Sequence, residues 1–240
     1  MFSGPLRTYG LYRGDWRARI ISTVKDVLPH FEVFAKGLFI GKFTLPIPGI
    51  HNIQNALGAI ALADFIDTRM VAMDRALQSY TGIHRRYEKR FVSPGVVVID
   101  DYGHTPPEIA SVFGALRQEY GQAYLICVPC LRQFHRTRRY LEEFTTELAK
   151  ADCCIVPPIV SGLGDDEMSR NSIKAEDVAA KLHKRSCIAT ALPDAAAISV
   201  AIEEAIARAP AGLKVILTVG SGDTDPVIDQ ILNVTKNILV

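Results

Sequence analysis

The spacing of apolar positions changes twice along the chain. Over the first fifty residues short runs dominate, and residues 7–12, 18–24 and 38–44 set β-branched and aromatic side chains between glycines and prolines. This pattern predicts a small antiparallel sheet. Pro46, Pro48 and Gly49 then break it, and residues 52–65 recur at helical spacing with many alanines. A second short helix is predicted over 71–80. Near Thr81 and Gly82 the pattern shifts again, which places a domain boundary there and divides the chain into 1–82 and 83–240.

From Val96 onward apolar strands alternate with amphipathic helices. Strands are predicted at 96–99, 124–128, 153–156, 187–189 and 215–219. Helices are predicted from Thr105 to about Glu119, over 140–150, over 175–183, from Asp194 to Arg208, and at the end of the sequence. Thr105, Pro106 and Glu108 carry the signature of a capped helix start. Such alternation predicts an α/β fold, a mostly parallel Rossmann-like sheet with helices on both faces. Ligands bind such sheets beyond the carboxyl ends of the strands. That rule selects four loops, at 100–105, 129–139, 157–170 and 220–225, which hold most of the unusual polar residues.

Composition narrows the classes. The 27 basic residues nearly match the 26 acidic ones, which argues against general binding to nucleic acid or anionic membranes. The longest apolar runs fall far short of the roughly 20 residues of a spanning helix. Residues 1–8 lack a charged-then-apolar signal pattern. A soluble, cytoplasmic globular chain is expected. Five cysteines are an odd number, so a disulfide framework is not expected. Cys127 and Cys130 form a C-x-x-C, but Cys127 lies in an apolar run and reads as a small buried residue, and a zinc site would need further ligands at suitable spacing; a metal or redox pair is the lesser alternative.

The loop from Asp100 to Pro106 sets two carboxylates, Tyr102 and His104 before a helix N-terminus, whose free N–H groups favour anions. There His104 is placed to donate to a phosphate or carboxylate and Asp101 to accept from ribose hydroxyls; the plainer reading is a strand-end turn with capping residues. Arg132, Gln133, Arg136, Arg138 and Arg139 form a basic cluster, suited to carboxylate or phosphate or else to a solvated helix face. His84, Arg85 and Arg86 sit just past the boundary. His51, Asn52 and Asn55 stand where a helix begins, with Asn52 open to reading as an N-cap. Gly220, Gly222 and Asp223 make a weak glycine motif on their own. No G-x-x-x-x-G-K-[ST] and no complete G-x-G-x-x-G occurs in these 240 residues.

Taken in order, these segments resemble the Mur ligases, ATP-dependent enzymes that add amino acids to peptidoglycan precursors. Gly49, His51, Asn52 and Asn55 look like the helix start closing the family's central ATPase domain, and Arg85 and Arg86 like the arginine that opens its C-terminal domain. The run from Asp100 to Pro106, the Arg136-Thr137-Arg138 segment and Gly220, Gly222 and Asp223 are similar to the branch joining L-alanine to UDP-N-acetylmuramate. The resemblance covers about residues 46–232. It implies that 1–82 are the end of the central domain and 83–240 the C-terminal domain.

It implies roles as well. His51, Asn52 and Asn55 would border the adenine of ATP, and Arg85 and Asp101 would contact the nucleotide's phosphates or ribose. Tyr102, His104 and Arg136 would hold the amino acid and the acyl phosphate in register, with His104 and Arg136 the catalytic pair and Arg132 and Gln133 in the amino-acid site. Two positions depart from the pattern. Arg132 and Gln133 stand where a histidine followed by arginine or glutamine is expected, and Thr105 stands where that branch has a second histidine. The UDP-binding domain, P-loop and magnesium-binding carboxylate are expected upstream, so no metal ligand is assigned here. The expected function is the C-terminal part of such a ligase, inactive alone and completed by N-terminal domains, whether removed from this chain or carried on another. The alternative is a non-catalytic nucleotide- or partner-binding module; a nicotinamide-dependent oxidoreductase fits the alternation but lacks its fingerprint.

Overall fold

The computed structural model describes residues 6–21 and 28–238. The end of the strand predicted over 18–24 lies outside them, as do the first five residues of the start that carries no signal pattern. The chain divides into two compact units, Met1–Gly82 with Gly114–Glu119, and Ile83–Phe113 with Tyr120–Val240.

The first unit holds β1 (Tyr9–Gly10), β2 (Trp16–Ile20), β3 (His30–Ala35), β4 (Leu38–Thr44), α1 (Ile50–Phe65) and α2 (Met70–Gln78). The strands lie in the order β1-β2-β3-β4. Strands β2, β3 and β4 are antiparallel, but β1 pairs parallel with β2, so the sheet is mixed. The cause is local. Asp15 accepts the Thr8 N–H at 3.0 Å and its hydroxyl at 2.9 Å, closing a loop that sends the chain back in the same direction.

Strand β3 stands where none is predicted, because Phe34 follows Val33 directly at a bulge and breaks the alternation that Phe31, Glu32 and Val33 begin. The Glu32 carboxylate is buried yet paired on both sides, with Arg19 across β2 and Lys42 across β4. Trp16, Phe31, Val33 and Phe43 of the sheet pack with Ile53, Leu57 and Ile60 of α1 as the core. Helix α1 starts at Ile50, with Gly49 at φ 104 before it. Asn52 is therefore inside the first turn rather than an N-cap, and its amide donates back to the Pro48 carbonyl at 2.7 Å.

The second unit opens with β5 (Glu88–Val92) and β6 (Val96–Asp101), then α3 (Pro106–Tyr120), β7 (Tyr124–Pro129), α4 (Phe134–Arg139) and α5 (Leu141–Leu148). After β8 (Cys153–Val156) come α6 (Glu167–Arg170), α7 (Ala175–His183), β9 (Ile188–Ala191), α8 (Ile198–Arg208), β10 (Lys214–Val219) and α9 (Asp225–Ile238). This is the expected α/β alternation. The sheet order is β5-β6-β10-β7-β8-β9, parallel except for β5. The charged run Glu88-Lys89-Arg90 hides β5 from a pattern search and suits an edge strand.

The decisive feature is the last strand, β10, inserted between β6 and β7. Strand order reverses there, which opens a crevice beyond the carboxyl ends. Val219 pairs with Asp101 on one side and Pro129 on the other, so the three strands end in one row. The loops after them leave side by side. Away from this end, Cys127 and Cys154 are paired neighbours on β7 and β8, and all five cysteines are free thiols.

Candidate functional site

Strand β6 ends on two carboxylates that burial forces into internal partnerships. Asp100 has no exposed surface; it accepts from Arg85 Nε at 2.9 Å and from the Thr218 hydroxyl at 2.7 Å. Arg85 directs the rest of its guanidinium to backbone carbonyls, Nη2 to Gly220 at 2.7 Å and Nη1 to Gly222. Its own carbonyl accepts the Tyr102 N–H at 2.7 Å. Arg85, expected at the nucleotide's phosphates, is thus a buried brace between the loops after β6 and β10. Its neighbour Arg86 is exposed, 5.2 Å from the centroid of the Tyr102 ring. Arg86 is the member of the pair that faces outward.

Asp101 accepts the Tyr87 N–H at 2.8 Å and the Gly103 N–H at 2.6 Å. Burial pushes its carboxyl above the ordinary value; the two amides and the Arg86 charge offset this only in part. Gly103 permits the turn, since a Cβ there would lie 2.8 Å from Asp101 Oδ1. His104 follows, with Nδ1 3.1 Å from the Tyr102 carbonyl and its ring edge-on to Tyr102 at 5.4 Å. Glu108 reaches back from α3 to accept the His104 and Thr105 N–H groups at 2.9 and 3.0 Å. Burial alone would raise Glu108, but those amides and the imidazole hold it below its ordinary value.

The loop after β7 is zipped to the loop after β8. Gln133 N–H donates to the Val160 carbonyl at 2.9 Å, and Gln133 Nε2 to the Leu163 carbonyl at 3.1 Å. Gln133 is thereby tied back at φ 68. Asp165, which no sequence pattern singled out, anchors the start of α4. It accepts the N–H groups of Phe134 at 3.1 Å, His135 at 3.2 Å and Gly162 at 2.9 Å, and His135 Nδ1 at 2.7 Å. The only sequence signal was its place in the Gly/Asp loop beyond β8.

Helix α4 carries Arg136 into a cleft that His104, Arg132, Cys130, Phe144 and Gly220 also line. Arg136 donates from Nη2 to the Arg132 carbonyl at 3.1 Å, while its buried Nε has no partner among the described residues. Burial lowers its pKa, only partly offset by Glu108 and Tyr102. The Arg132 guanidinium lies against Gly222, where a Cβ would stand 2.4 Å from Nη1. The structure therefore brings together Arg85, Asp101, Tyr102, His104, Arg132 and Arg136 around the end of the parallel sheet. His51, Asn52 and Asn55 lie in the first unit, on the first turns of α1. Among the described residues no three of His, Cys, Asp and Glu are arranged to hold a metal ion.

The second unit is thus an α/β sheet, parallel but for one edge strand, whose switch-point crevice gathers basic side chains. The family model described as "Mur ligase, glutamate ligase domain" matches residues 85–222, and the chain belongs to the Mur ligase family. It is 31% identical over 236 residues to the UDP-N-acetylmuramate--L-alanine ligase of Acetivibrio thermocellus, covering 97% of this chain and 48% of that protein. With the protein of the same name from Acidobacterium capsulatum it shares 36% identity over 146 residues, 60% of this chain and 31% of the other. The crystal structure of UDP-N-acetylmuramate-alanine ligase from Thermotoga maritima shares the fold at a TM-score of 0.75 and 21% identity, over 97% of this chain and 48% of that one. The chain spans half or less of the length of these relatives.

Proposed function

We propose that the chain supplies the amino-acid-binding part and one side of the ATP site of a ligase in peptidoglycan-precursor synthesis, acting in the cytoplasm. By kinship the reaction is that of the L-alanine-adding relatives, with UDP-N-acetylmuramate as the carboxylate substrate. The observation that carries this reading is the convergence of His104, Arg132 and Arg136 beside the row where β6, β10 and β7 end. In such a ligase ATP phosphorylates the carboxylate, and the amino acid's amine attacks the acyl phosphate and expels phosphate. Negative charge gathers on phosphoryl oxygens, so fixed cations and positioning supply most of the catalysis.

In this reading His104 and Arg136 hold the acyl phosphate, and Tyr102 and Arg132 border the amino acid. Arg86 faces the nucleotide's phosphates, Asp101 and Arg85 hold the loops that shape that side, and His51, Asn52 and Asn55 border the adenine. ATP is taken with Mg2+, whose protein ligands we assign to a P-loop-bearing segment that these 240 residues do not contain. No helix among the described residues is long and apolar enough to cross a membrane.

The test is calorimetric titration of the purified chain with ATP and, separately, with L-alanine, beside an assay of phosphate release. Binding is expected, with no release dependent on ATP and alanine until a P-loop-bearing polypeptide is added. Robust release from the 240 residues alone would overturn the need for such a partner. A second reading, a non-catalytic binding module, draws on the exposed Tyr12, Leu38 and Phe39 of the first unit. Binding of neither ligand, with tight association to another chain, would favour it.

A further inference from the structure

Charge balance over the whole chain conceals a local excess. Residues 7–44 hold seven lysines and arginines against three carboxylates. They build the sheet of the first unit, and two of its turns meet at one end. Lys36 and Gly37, at φ 48 and 87, join β3 to β4, and the Lys36 N–H donates to the Asp15 carbonyl at 2.6 Å. That bond sets the β3–β4 turn beside the segment from Leu11 to Asp15 that links β1 to β2.

The tip of this end is bare and apolar. Leu38 is 73% exposed and Phe39 55%, and Tyr12 on the adjoining segment is 87% exposed. Successive residues of a strand point to opposite faces. Exposure of both Leu38 and Phe39 therefore means that neither face of the hairpin end is covered. Around the tip stand Arg13, Arg17 and Lys36, all exposed. Arg17 is in register with Phe34, and Phe34 with Phe39, so one row across three strands runs from a cation to an exposed ring. Asp15 is the one carboxylate in residues 6–21, and it is turned onto the Thr8 N–H and hydroxyl. Glu32, in the next row, is held by Arg19 and Lys42. Three cations at the tip thus meet one committed carboxylate.

An apolar apex with a cationic collar suits a lipid–water interface that bears anionic headgroups. The apex gains by leaving water, and once it is seated the cations lie within a Debye length, about 8–10 Å, of the headgroup charge. Other occupants fit less well. A second copy would set like charges against each other. Single-stranded nucleic acid needs open aromatic faces. Here the Arg19 guanidinium lies over the Phe34 ring at 5.4 Å, and Phe34 meets Phe39 edge-on at 5.7 Å.

We infer that the end of this sheet formed by Tyr12, Arg13, Lys36, Leu38 and Phe39 is a docking site for an anionic phospholipid surface, which holds the chain reversibly at a membrane. None of these residues lines the cleft, so vesicle binding and ATP binding are separate readouts.

The test is co-sedimentation of the full chain with vesicles of phosphatidylglycerol and phosphatidylcholine in equal parts, beside vesicles of phosphatidylcholine alone. Binding is expected to the anionic vesicles only, and weakens as salt is raised. Arg13→Gln and Lys36→Gln should each weaken it about fivefold, the worth of one basic residue near such a surface. Leu38→Ser should weaken it about tenfold, the lower end for burying a leucine side chain. Lys184→Gln, exposed in the second unit, should bind as the parent does. All four changes fall on exposed side chains, with folding checked by circular dichroism. No binding to anionic vesicles, or binding that the three tip variants leave unchanged, would overturn the inference. An equal loss in the Lys184 variant would overturn it too. So would capture by a single-stranded oligonucleotide or a P-loop-bearing polypeptide without any vesicle binding.

Discussion

Arg85 and Asp100 form an ion pair at 2.9 Å in which the carboxylate has no exposed surface. The pair joins the first turn of the second unit to strand β6, and the same guanidinium reaches two carbonyls of the loop after β10. Removing the arginine would leave a buried carboxylate without its charge partner. Arg85→Ala should cost about 3–5 kcal/mol, the range for breaking one side of a buried pair, read as a fall in the urea midpoint. Arg85→Lys should recover part of it, since an ammonium restores the charge but not the three-way reach. A midpoint unchanged within error in the alanine variant would show the brace to be dispensable.

Arg86 makes the opposite prediction. It is exposed, so Arg86→Ala should change stability by no more than about 0.5 kcal/mol. If it faces nucleotide phosphates, the same variant should weaken ATP binding about tenfold or more, as expected for a charge-assisted contact. Undiminished ATP affinity would remove Arg86 from the site.

Asp165 ties α4 to the loop after β8, and its ionisation should be visible in stability. Burial alone would raise its pKa, but the Gly162, His135 and Phe134 amides and the His135 ring hold it well below the carboxylate range. A depressed folded value means the stabilisation is present above the unfolded pKa, about 4, and is lost as pH falls through the folded one. Asp165→Asn should therefore melt below the parent at pH 7, with the two midpoints converging as the pH drops under about 4. A gap that stays constant with pH would point to packing rather than charge.

Gly220 and Gly222 should separate fold from binding. A Cβ on Gly220 would lie 2.3 Å from the Cys130 carbonyl oxygen, a backbone atom that cannot step aside. A Cβ on Gly222 would instead meet the end of the Arg132 side chain, at φ 94. Gly220→Ala is expected to lower the thermal midpoint the more severely. Gly222→Ala should cost about 1–2 kcal/mol of left-handed strain and displace Arg132, weakening amino-acid binding in the cleft. The reverse ranking in midpoint would contradict the packing described.

The thiols should be slow nucleophiles. Burial pushes Cys153 to about 11 and Cys130 to about 12, and hydrogen bonding among thiols raises Cys154 and Cys187. Thiolate is the reactive form, so at pH 8 these four should react slowly with an aromatic disulfide reagent in the native protein and rapidly in denaturant. Fast labelling of Cys130 in the folded chain would show that the cleft is more open than its packing implies.

Local pattern alone carried the order of strands and helices after Val96, because apolar periodicity reports which face of each segment is buried. The spacing of Asp100 to Pro106, of the arginine cluster and of the terminal glycines marked the loops that meet at the site. What local pattern missed has local causes too. The bulge at Phe34 breaks the alternation of β3, and the charged start of β5 hides an edge strand. Only the tertiary structure separated Arg85 from Arg86, which are equal on paper. Burial of Asp100 and two carbonyls 135 and 137 residues away claim the first and leave the second outside. It also placed Asp165 under α4, 31 and 30 residues from the amides it holds. The insertion of β10 between β6 and β7 was likewise decided by the whole fold. Strand pairing over more than a hundred residues depends on which apolar edges pack together, and no local spacing records that choice.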